Sequence, residues 1–163
     1  GGKLGAKVAR SPVGEANVVA LMKKKGSPLG GEGNGGVIWP QVVYIRDSIS
    51  AMGLILALMA EEKGKRALSE MVAMLPTYAI EKRKREFRLK ETGAKAVEVV
   101  AAALKGEGTV DTQDGFRLDV AKDSAWLHVR TSNTEPIVRL IAEAPTSEKA
   151  KSWLDRAEKA LEA

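Results

Sequence analysis

The sequence predicts an α/β unit followed by an α+β unit in which two helices cover one face of an antiparallel sheet. The first observation is the order of patterns, since helices and short extended segments mix before Pro76, whereas four strand-like segments lie between two amphipathic helices after it. The second is length, because 163 residues permit one ordinary domain or two small ones. The third is composition, since 44% hydrophobic and 29% charged residues are typical of a globular chain. The boundary near Pro76 predicts domains at residues 1–76 and 77–163.

The first unit opens with a short predicted strand at residues 6–10. Glu15–Lys25 is predicted to be a helix, because apolar residues recur at helical spacing and lysines fill the last turn, where the helix dipole favours them. Residues 26–36 form a glycine-dense loop. Residues 37–45 are β-branched and aromatic but contain a proline, so they are an edge strand or an extended connection.

The strongest helical pattern of the chain covers residues 48–63, with Asp47 or Ser48 as its N-cap. Its apolar residues run nearly all round the helix, which predicts a helix buried in an α/β layer. A shorter helix over residues 68–75 follows, and Pro76 ends it because proline cannot continue the backbone hydrogen bonding.

The second unit begins with a mostly charged, extended segment at residues 78–89. Amphipathic helices are predicted at residues 92–104 and 146–162, each with an apolar stripe at helical spacing. Asp114-Gly115 is a turn signal between strands. The strand-like segments between the helices are Thr109–Asp111, Phe116–Val120, residues 125–130 and Ile137–Ala144.

Composition excludes several classes of function. Cysteine is absent and His128 is the one histidine, which rules out disulfides, a cysteine nucleophile and a histidine-rich metal centre. The net charge of +5 is compatible with phosphate-bearing partners. Aromatic residues make up only 4% of the chain, which is few for a nucleic-acid surface that stacks bases. The longest apolar run, residues 51–60, is too short to span a bilayer, and we see no pattern of a secretion signal. We therefore expect a cytoplasmic protein with no nucleic-acid partner and no membrane partner.

Two features have an ordinary structural interpretation beside a functional one. The basic run at residues 82–85 allows a nucleic-acid patch, but a solvated strand near the domain boundary is the favoured interpretation. His128 alternates with Trp126 and Arg130 on one strand, which is typical of a histidine packed on a sheet rather than of a catalytic one.

Residues 31–36, here called the glycine loop, read Gly-Glu-Gly-Asn-Gly-Gly. They satisfy the dinucleotide pattern G-x-G-x-x-G, but that pattern needs a helix directly behind it, and Val-Ile-Trp-Pro follows instead. Glu32 would also repel a pyrophosphate. The carboxylate of Glu32 and the amide of Asn34 are groups that hold vicinal sugar hydroxyls in a fixed plane. The alternative is a plain flexible loop with Glu32 in solvent.

Residues 130–136, here called the arginine loop, read Arg-Thr-Ser-Asn-Thr-Glu-Pro and lie between two predicted strands, with Arg139 beyond them. Arginine binds phosphate oxygens through two parallel hydrogen bonds, and serine, asparagine and threonine add further donors. A tight turn here would also point backbone N–H groups into one space and form an anion nest. The alternative is a polar turn whose side chains bond only to their own backbone.

Together these segments resemble the α-D-phosphohexomutases, the family of phosphomannomutase, phosphoglucomutase and phosphoglucosamine mutase. The resemblance is carried by the glycine loop with Gly30, by Arg46-Asp47, and by the arginine loop followed by Arg139 and Glu143-Ala144. Residues 10–15, Arg-Ser-Pro-Val-Gly-Glu, also resemble the family's segment before the sugar loop. The resemblance covers essentially the whole chain in the family's order.

The resemblance implies a third mutase domain of the three-layer α/β/α type and a phosphate-binding fourth domain. It implies that the sugar is bound by Glu32, Asn34 and Gly35. The non-reacting phosphate would be bound by Arg130, Ser132, Asn133, Thr134 and Arg139. The family interconverts hexose 1-phosphate and hexose 6-phosphate through a phosphoserine and a bisphosphate intermediate, and Mg²⁺ on an aspartate loop offsets charge during the transfer.

The sequence departs from the family pattern in two places that matter. No Asp-x-Asp-x-Asp occurs, so ligands for the Mg²⁺ expected in the complete enzyme are missing, and no Ser-His-Asn segment carries a phosphoserine. We therefore expect no catalytic residue in this chain, which looks like the C-terminal half of a mutase entered part-way through its third domain.

Such a piece should bind a hexose phosphate without turning it over. Its expected partners are the substrate and the missing N-terminal mutase domains, with a homo-oligomer as a further possibility. The alternative function is a non-catalytic phosphosugar-binding or interaction module built from the same folds. Mannose, glucose and glucosamine all remain open as the sugar.

Overall fold

The computed structural model describes residues 5–33, 35–87, 90–132 and 135–162, with the side chains of residues 90 and 91 left aside. The chain divides into two compact units, Gly1–Leu75 and Pro76–Ala163. Among the described residues, no helix combines the length and the apolar character that crossing a membrane requires.

The described part of the first unit contains three helices and one short pair of strands. The elements are α1 (Glu15–Lys25), β1 (Gly30–Gly31), β2 (Val37–Ile38), α2 (Ser48–Glu61) and α3 (Leu68–Ala73). Strand β1 pairs antiparallel with β2, with Gly30 opposite Ile38. Helix α1 ends where Gly26 takes a left-handed conformation, at φ 62°. Among the described residues of this unit, the large apolar side chains that are buried are Met22 of α1 and Ile38 of β2.

Two strand predictions for this unit are wrong in whole or in part. Residues 6–10 form no strand, because a strand needs a hydrogen-bonded neighbour and no described residue pairs with them. Of residues 37–45, the first two pair with β1, and a turn follows in which the N–H groups of Val42 and Val43 donate to the carbonyl of Trp39. The proline at position 40 lies in this turn, where its fixed φ is compatible with the backbone.

The prediction that α2 is buried is also wrong. Ser50 is the buried residue of this helix, while Ile49 is 79% exposed and Leu56 is 65% exposed. An apolar helix is buried only where a second layer covers it. The described part of this unit contains no sheet larger than the β1–β2 pair, so no such layer lies over α2.

Asp47 caps α2 in a way that depends on pH. Its pKa is lowered because the carboxylate accepts hydrogen bonds from the hydroxyl and the N–H of Ser50, and also from the N–H of Ile49. A lowered folded-state pKa means that the cap stabilises α2 above the ordinary aspartate pKa and is lost as the pH falls through the folded value.

We expect the wild-type protein to lose helical circular dichroism as the pH falls below about 4. The matched variant Asp47→Asn keeps a capping oxygen but has no titrating carboxyl there, so it should lose less over the same range. Identical acid transitions in the two proteins would contradict the role assigned to the Asp47 carboxylate.

The described elements of the second unit are β3 (Ala79–Glu86), α4 (Lys90–Leu104), β4 (Thr109–Asp111), β5 (Phe116–Val120), β6 (Ala125–Thr131), β7 (Ile137–Ala144) and α5 (Ser147–Glu162). The strands form a five-stranded antiparallel sheet with strand order β3-β7-β6-β5-β4. Short 3₁₀ turns at Lys105–Glu107 and Ala121–Asp123 precede β4 and β6. The predicted fold, an antiparallel sheet with two helices, is confirmed.

The core of this unit lies between the sheet and both helices. Alternate residues of β5 and β7 are buried, as the period of two in a strand requires when one face is covered. In β6 the same face is buried, and His128 on the opposite face is buried as well. Helix α5 contributes Trp153 and Leu154, and α4 contributes Val100. Helices α4 and α5 pack on one face of the sheet, and no helix in the described part of this unit packs on the other face, here called the open face.

The basic run on β3 is divided between the two faces of the sheet. Arg83 and Arg85 point towards α5, where Arg83 pairs with Asp155 at 2.7 Å and with Glu158. The Asp155 carboxylate raises the pKa of Arg83. The alternation of β3 places Lys82 and Lys84 on the other face of the sheet. The two arginines of the basic run therefore hold α5, and the two lysines do not.

Candidate functional site

The candidate phosphate site of the second unit lies where β6 ends and the arginine loop begins. Arg130 is the last but one residue of β6 and lies directly opposite Arg139 of β7 in the strand register. Trp126, His128 and Arg130 share the open face of the sheet, because alternate residues of a strand point to the same side. The sheet therefore brings two arginines predicted for phosphate binding together.

The Arg130 side chain is held from one side by Asp114, in the turn between β4 and β5. Its Nε lies 3.0 Å and 3.1 Å from the two carboxylate oxygens of Asp114. Arg130 exposes 13% of its side chain and Asp114 22%, so bulk solvent screens this pair only in part. Arg139 is more exposed, and its guanidinium lies 3.4 Å from Glu135.

The described ends of the arginine loop are closed by hydrogen bonds. The N–H of Ser132 donates to the carbonyl of Ile137 at 2.9 Å, and the N–H of Glu135 contacts the hydroxyl of Ser132 at 3.4 Å. Ser132 is buried at the base of the loop. The predicted phosphate ligands Asn133 and Thr134 lie outside the described residues.

A small depression lies at the base of the arginine loop, lined by residues of the loop, of β7 and of α4. Gly93 lines it in the first turn of α4, and an added Cβ there would lie 3.4 Å from the methyl groups of Thr131 and Val138. The N-terminal end of a helix carries partial positive charge from unpaired N–H groups. The loop therefore begins beside a helix end that favours an anion.

The candidate sugar site of the first unit is a short hairpin in which Glu32 follows β1. One carboxylate oxygen of Glu32 accepts a hydrogen bond from the N–H of Gly14 at 3.1 Å, and the other lies 3.4 Å from the Arg46 guanidinium. The Glu32 side chain is only 15% exposed. Gly35, with φ 98°, turns back so that its N–H donates to the Glu32 carbonyl. Asn34 lies outside the described residues.

Arg46 links Glu32 to the start of α1. Its Nε donates to Glu15 at 2.8 Å, which lowers the pKa of Glu15 and raises that of Arg46. Gly36 makes this approach possible, because an added Cβ would come within 3.0 Å of the Arg46 side chain. The Glu32 carboxylate is thus held in one orientation, and in that orientation it can accept hydrogen bonds from sugar hydroxyls.

No group of three or more acidic or histidine side chains that could hold a metal ion occurs in the part of the chain that the structure describes. The resemblance implies Mg²⁺ for the complete enzyme, but the described residues of the two candidate sites do not fit a site for it. Mg²⁺ is usually held by one or two carboxylates beside waters and substrate phosphates, whereas the carboxylates of Asp114 and Glu32 are engaged by Arg130 and Arg46.

Several residues that shape these sites were not identified from the sequence. Asp114 was recognised only as part of a turn, and Gly93 only as a helix residue. The signal for Asp114 was present in the Asp-Gly pair, but its place beside Arg130 depends on the register of β5 against β6. The contact of Gly14 with Glu32 likewise joins residues 18 apart.

The comparisons with known proteins agree with this two-unit arrangement. Residues 2–78 match the family model described as phosphoglucomutase/phosphomannomutase, alpha/beta/alpha domain III. Residues 81–160 match the model described as the phosphoglucomutase/phosphomannomutase C-terminal domain. The two models define the class as an α/β domain followed by a mutase-type C-terminal domain. The chain belongs to the phosphoglucomutase/phosphomannomutase family, and the predicted fold class and family resemblance are confirmed.

Relatives bear the names of several mutases. A phosphoglucomutase/phosphomannomutase of Thermococcus kodakarensis is 38% identical over 97% of this chain and 34% of its own length. A probable phosphoglucosamine mutase of Methanopyrus kandleri is 32% identical over 94% of this chain and 33% of its own length. A crystal structure of a phosphoglucomutase/phosphomannomutase family protein from Burkholderia thailandensis superposes with a TM-score of 0.72 at 25% identity, covering 92% of this chain and 31% of that protein. The chain thus spans about a third of the length of these relatives.

Proposed function

We propose that this chain supplies the sugar-binding and phosphate-binding part of a phosphohexomutase. The complete enzyme would interconvert hexose 1-phosphate and hexose 6-phosphate through a phosphoserine and a bisphosphate intermediate. The observation that carries the proposal is the arrangement at the arginine loop. There Arg130 is fixed at the end of β6, in register with Arg139, and the loop begins beside the first turn of α4.

The phosphate part of the proposal has a direct chemical reason. A guanidinium forms two parallel hydrogen bonds with a phosphate, and the partial charge of a helix N-terminus adds to the attraction. Ser132 adds a hydroxyl at the base of the same loop. We assign Asn133, Thr134 and Arg139 to the same phosphate on the basis of their positions in the family's motif.

The sugar part of the proposal rests on the glycine loop. Glu32 is held by the N–H of Gly14 and by Arg46, so that its orientation is set before a ligand arrives. A pre-oriented carboxylate loses little conformational freedom on binding a sugar hydroxyl. We assign Asn34 and Gly35 to the same sugar subsite, Gly35 through its backbone.

The chain by itself is expected to bind and not to turn over. It contains no Asp-x-Asp-x-Asp segment and no Ser-His-Asn segment, so the magnesium loop and the phosphoserine must come from elsewhere. We propose that N-terminal mutase domains supply them. The exposed apolar residues Ile49 and Leu56 of α2 support a covering partner of this kind, because apolar surface is stabilised by burial.

The test is an NMR titration of the 163-residue chain with glucose 6-phosphate, mannose 6-phosphate and glucosamine 6-phosphate. For the preferred compound, we expect the amide signals of Glu32 and Gly35 in the first unit, and those of Arg130 and Ser132 in the second unit, to shift and saturate. Free glucose should shift the first pair, and inorganic phosphate the second pair. Unchanged signals at both loops for every sugar phosphate would contradict the proposal for this chain.

A further inference from the structure

The contact between Asp114 and Arg130 involves one corner of the guanidinium. Both carboxylate oxygens of Asp114 lie within 3.1 Å of Nε. Arginine carries its other N–H donors on the two terminal nitrogens, which form the fork that matches a phosphate. A carboxylate at Nε therefore sets the plane and direction of the guanidinium and leaves the fork as the edge that a phosphate can approach.

The turn that carries Asp114 is itself fixed against β6. The Nε2 of His128 lies 2.5 Å from the carbonyl oxygen of Asp114, and because a carbonyl only accepts, Nε2 carries the proton. Gly115, at φ 76°, lies so close to β6 that an added Cβ would be 2.5 Å from the carbonyl oxygen of Val129. The backbone of Asp114 is thus held in place by contacts other than the one that its side chain makes with Arg130.

We propose that Asp114 is a positioning residue that orients the Arg130 guanidinium and thereby raises the affinity of the arginine loop for a phosphate group. This inference rests on the proposed function, because it assigns Arg130 to a phosphate ligand. His128 acts one step further away by holding the turn on which Asp114 lies.

Orientation and simple charge predict opposite effects when Asp114 is neutralised. A negative carboxylate near the loop repels an anion, so removing its charge alone should strengthen phosphate binding. A guanidinium that loses its partner at Nε becomes free to rotate, and ordering it again on binding costs affinity. The direction of the change in affinity therefore distinguishes the two roles.

The test compares Asp114→Asn with Asp111→Asn, each titrated by NMR with inorganic phosphate and with glucose 6-phosphate. Asp111 is a matched control, because it is an acidic residue three positions earlier whose carboxylate accepts from the N–H and side-chain amide of Gln113. We expect Asp114→Asn to weaken binding about tenfold, as the loss of one charge-assisted contact implies. Asp111→Asn should leave the affinity equal or slightly higher. An Asp114→Asn affinity equal to or above that of the control would overturn the proposal.

A second pair of variants tests whether Asp114 acts through Arg130. Lysine has neither the Nε–H that Asp114 contacts nor the fork of terminal nitrogens, so in an Arg130→Lys background the Asp114→Asn change should cause no further loss of phosphate affinity. An equal tenfold loss in that background would assign the effect of Asp114 to another group and overturn the inference.

The NMR signal of the Arg130 Nε–H gives a readout that does not require a ligand. In the wild type it should exchange slowly with water, and in Asp114→Asn it should exchange faster and shift towards the position of exposed arginines. If the wild type fails to bind any phosphate while this signal changes as expected, the proposed function fails and the positioning of Arg130 stands. An unchanged signal in Asp114→Asn would overturn the positioning.

Discussion

The substitution Leu140→Ala should lower the free energy of unfolding of the second unit by about 2–5 kcal/mol. Leu140 is fully buried on β7, between β3 and β6, and faces the layer formed by α4 and α5. Removing its isobutyl group forfeits the free energy of burying that apolar surface and leaves a cavity. The neighbouring strands are hydrogen-bonded along their length, so the cavity can close only in part.

The matched control is Ile80→Ala on β3 of the same sheet. Ile80 is 49% exposed and lies opposite Glu143 on the open face, so its truncation creates no enclosed cavity. We expect this change to cost less than about 1 kcal/mol, within the range of strand propensities. Urea unfolding followed through amide signals of the second unit would measure both values. Equal losses in the two variants would contradict the assignment of the core to the helix-covered face.

The second large effect concerns binding. Arg130→Ala should weaken the binding of a hexose phosphate by roughly 1.5–3 kcal/mol, or roughly 10- to 150-fold, which is the worth of hydrogen bonds to a charged group. The Arg130 side chain is largely buried and is held at Nε by Asp114. The wild-type guanidinium therefore loses little conformational entropy when it binds a phosphate. Isothermal titration calorimetry with the preferred sugar phosphate would measure the change.

Arg117→Ala is the matched control for this experiment. Arg117 lies on the same open face, pairs with Asp119 at 2.9 Å and stacks on Trp126, but it belongs to β5 and not to the arginine loop. Its removal takes away the same formal charge, so a general electrostatic effect would weaken binding in both variants. We expect the affinity of Arg117→Ala to stay within about twofold of the wild type. An Arg130→Ala affinity equal to that of the wild type would refute the phosphate-loop assignment.

The elements of the second unit could be predicted because their signals are local. In β5, β7 and α5, the residues that face the core recur at the spacing of a strand or a helix. This spacing is visible within one continuous segment of the sequence. The N-cap of α2 is equally local, since Asp47 bonds to residues two and three positions on. The candidate loops were found from residue types and from their resemblance to a family motif, and their roles as ligand sites stay predictions.

The exposure of α2 could not be predicted, because the sequence of an apolar helix does not show whether a second layer covers it. The strand expected at residues 6–10 failed for a related reason, since pairing needs a neighbour that a single segment does not specify.

By itself, the sequence determined the order and type of most elements and the change from one pattern of elements to another near Pro76. It also identified the residues of the glycine loop and the arginine loop as candidates. Only the tertiary structure decided that Asp114 lies against Arg130, 16 positions away, and that Gly14 and Arg46 hold Glu32. These contacts depend on strand register and on the close approach of glycine backbones such as Gly115, which are properties of the packed chain. Periodicity is set by neighbouring residues, whereas the orientation of a charged side chain is set by whatever the fold places beside it.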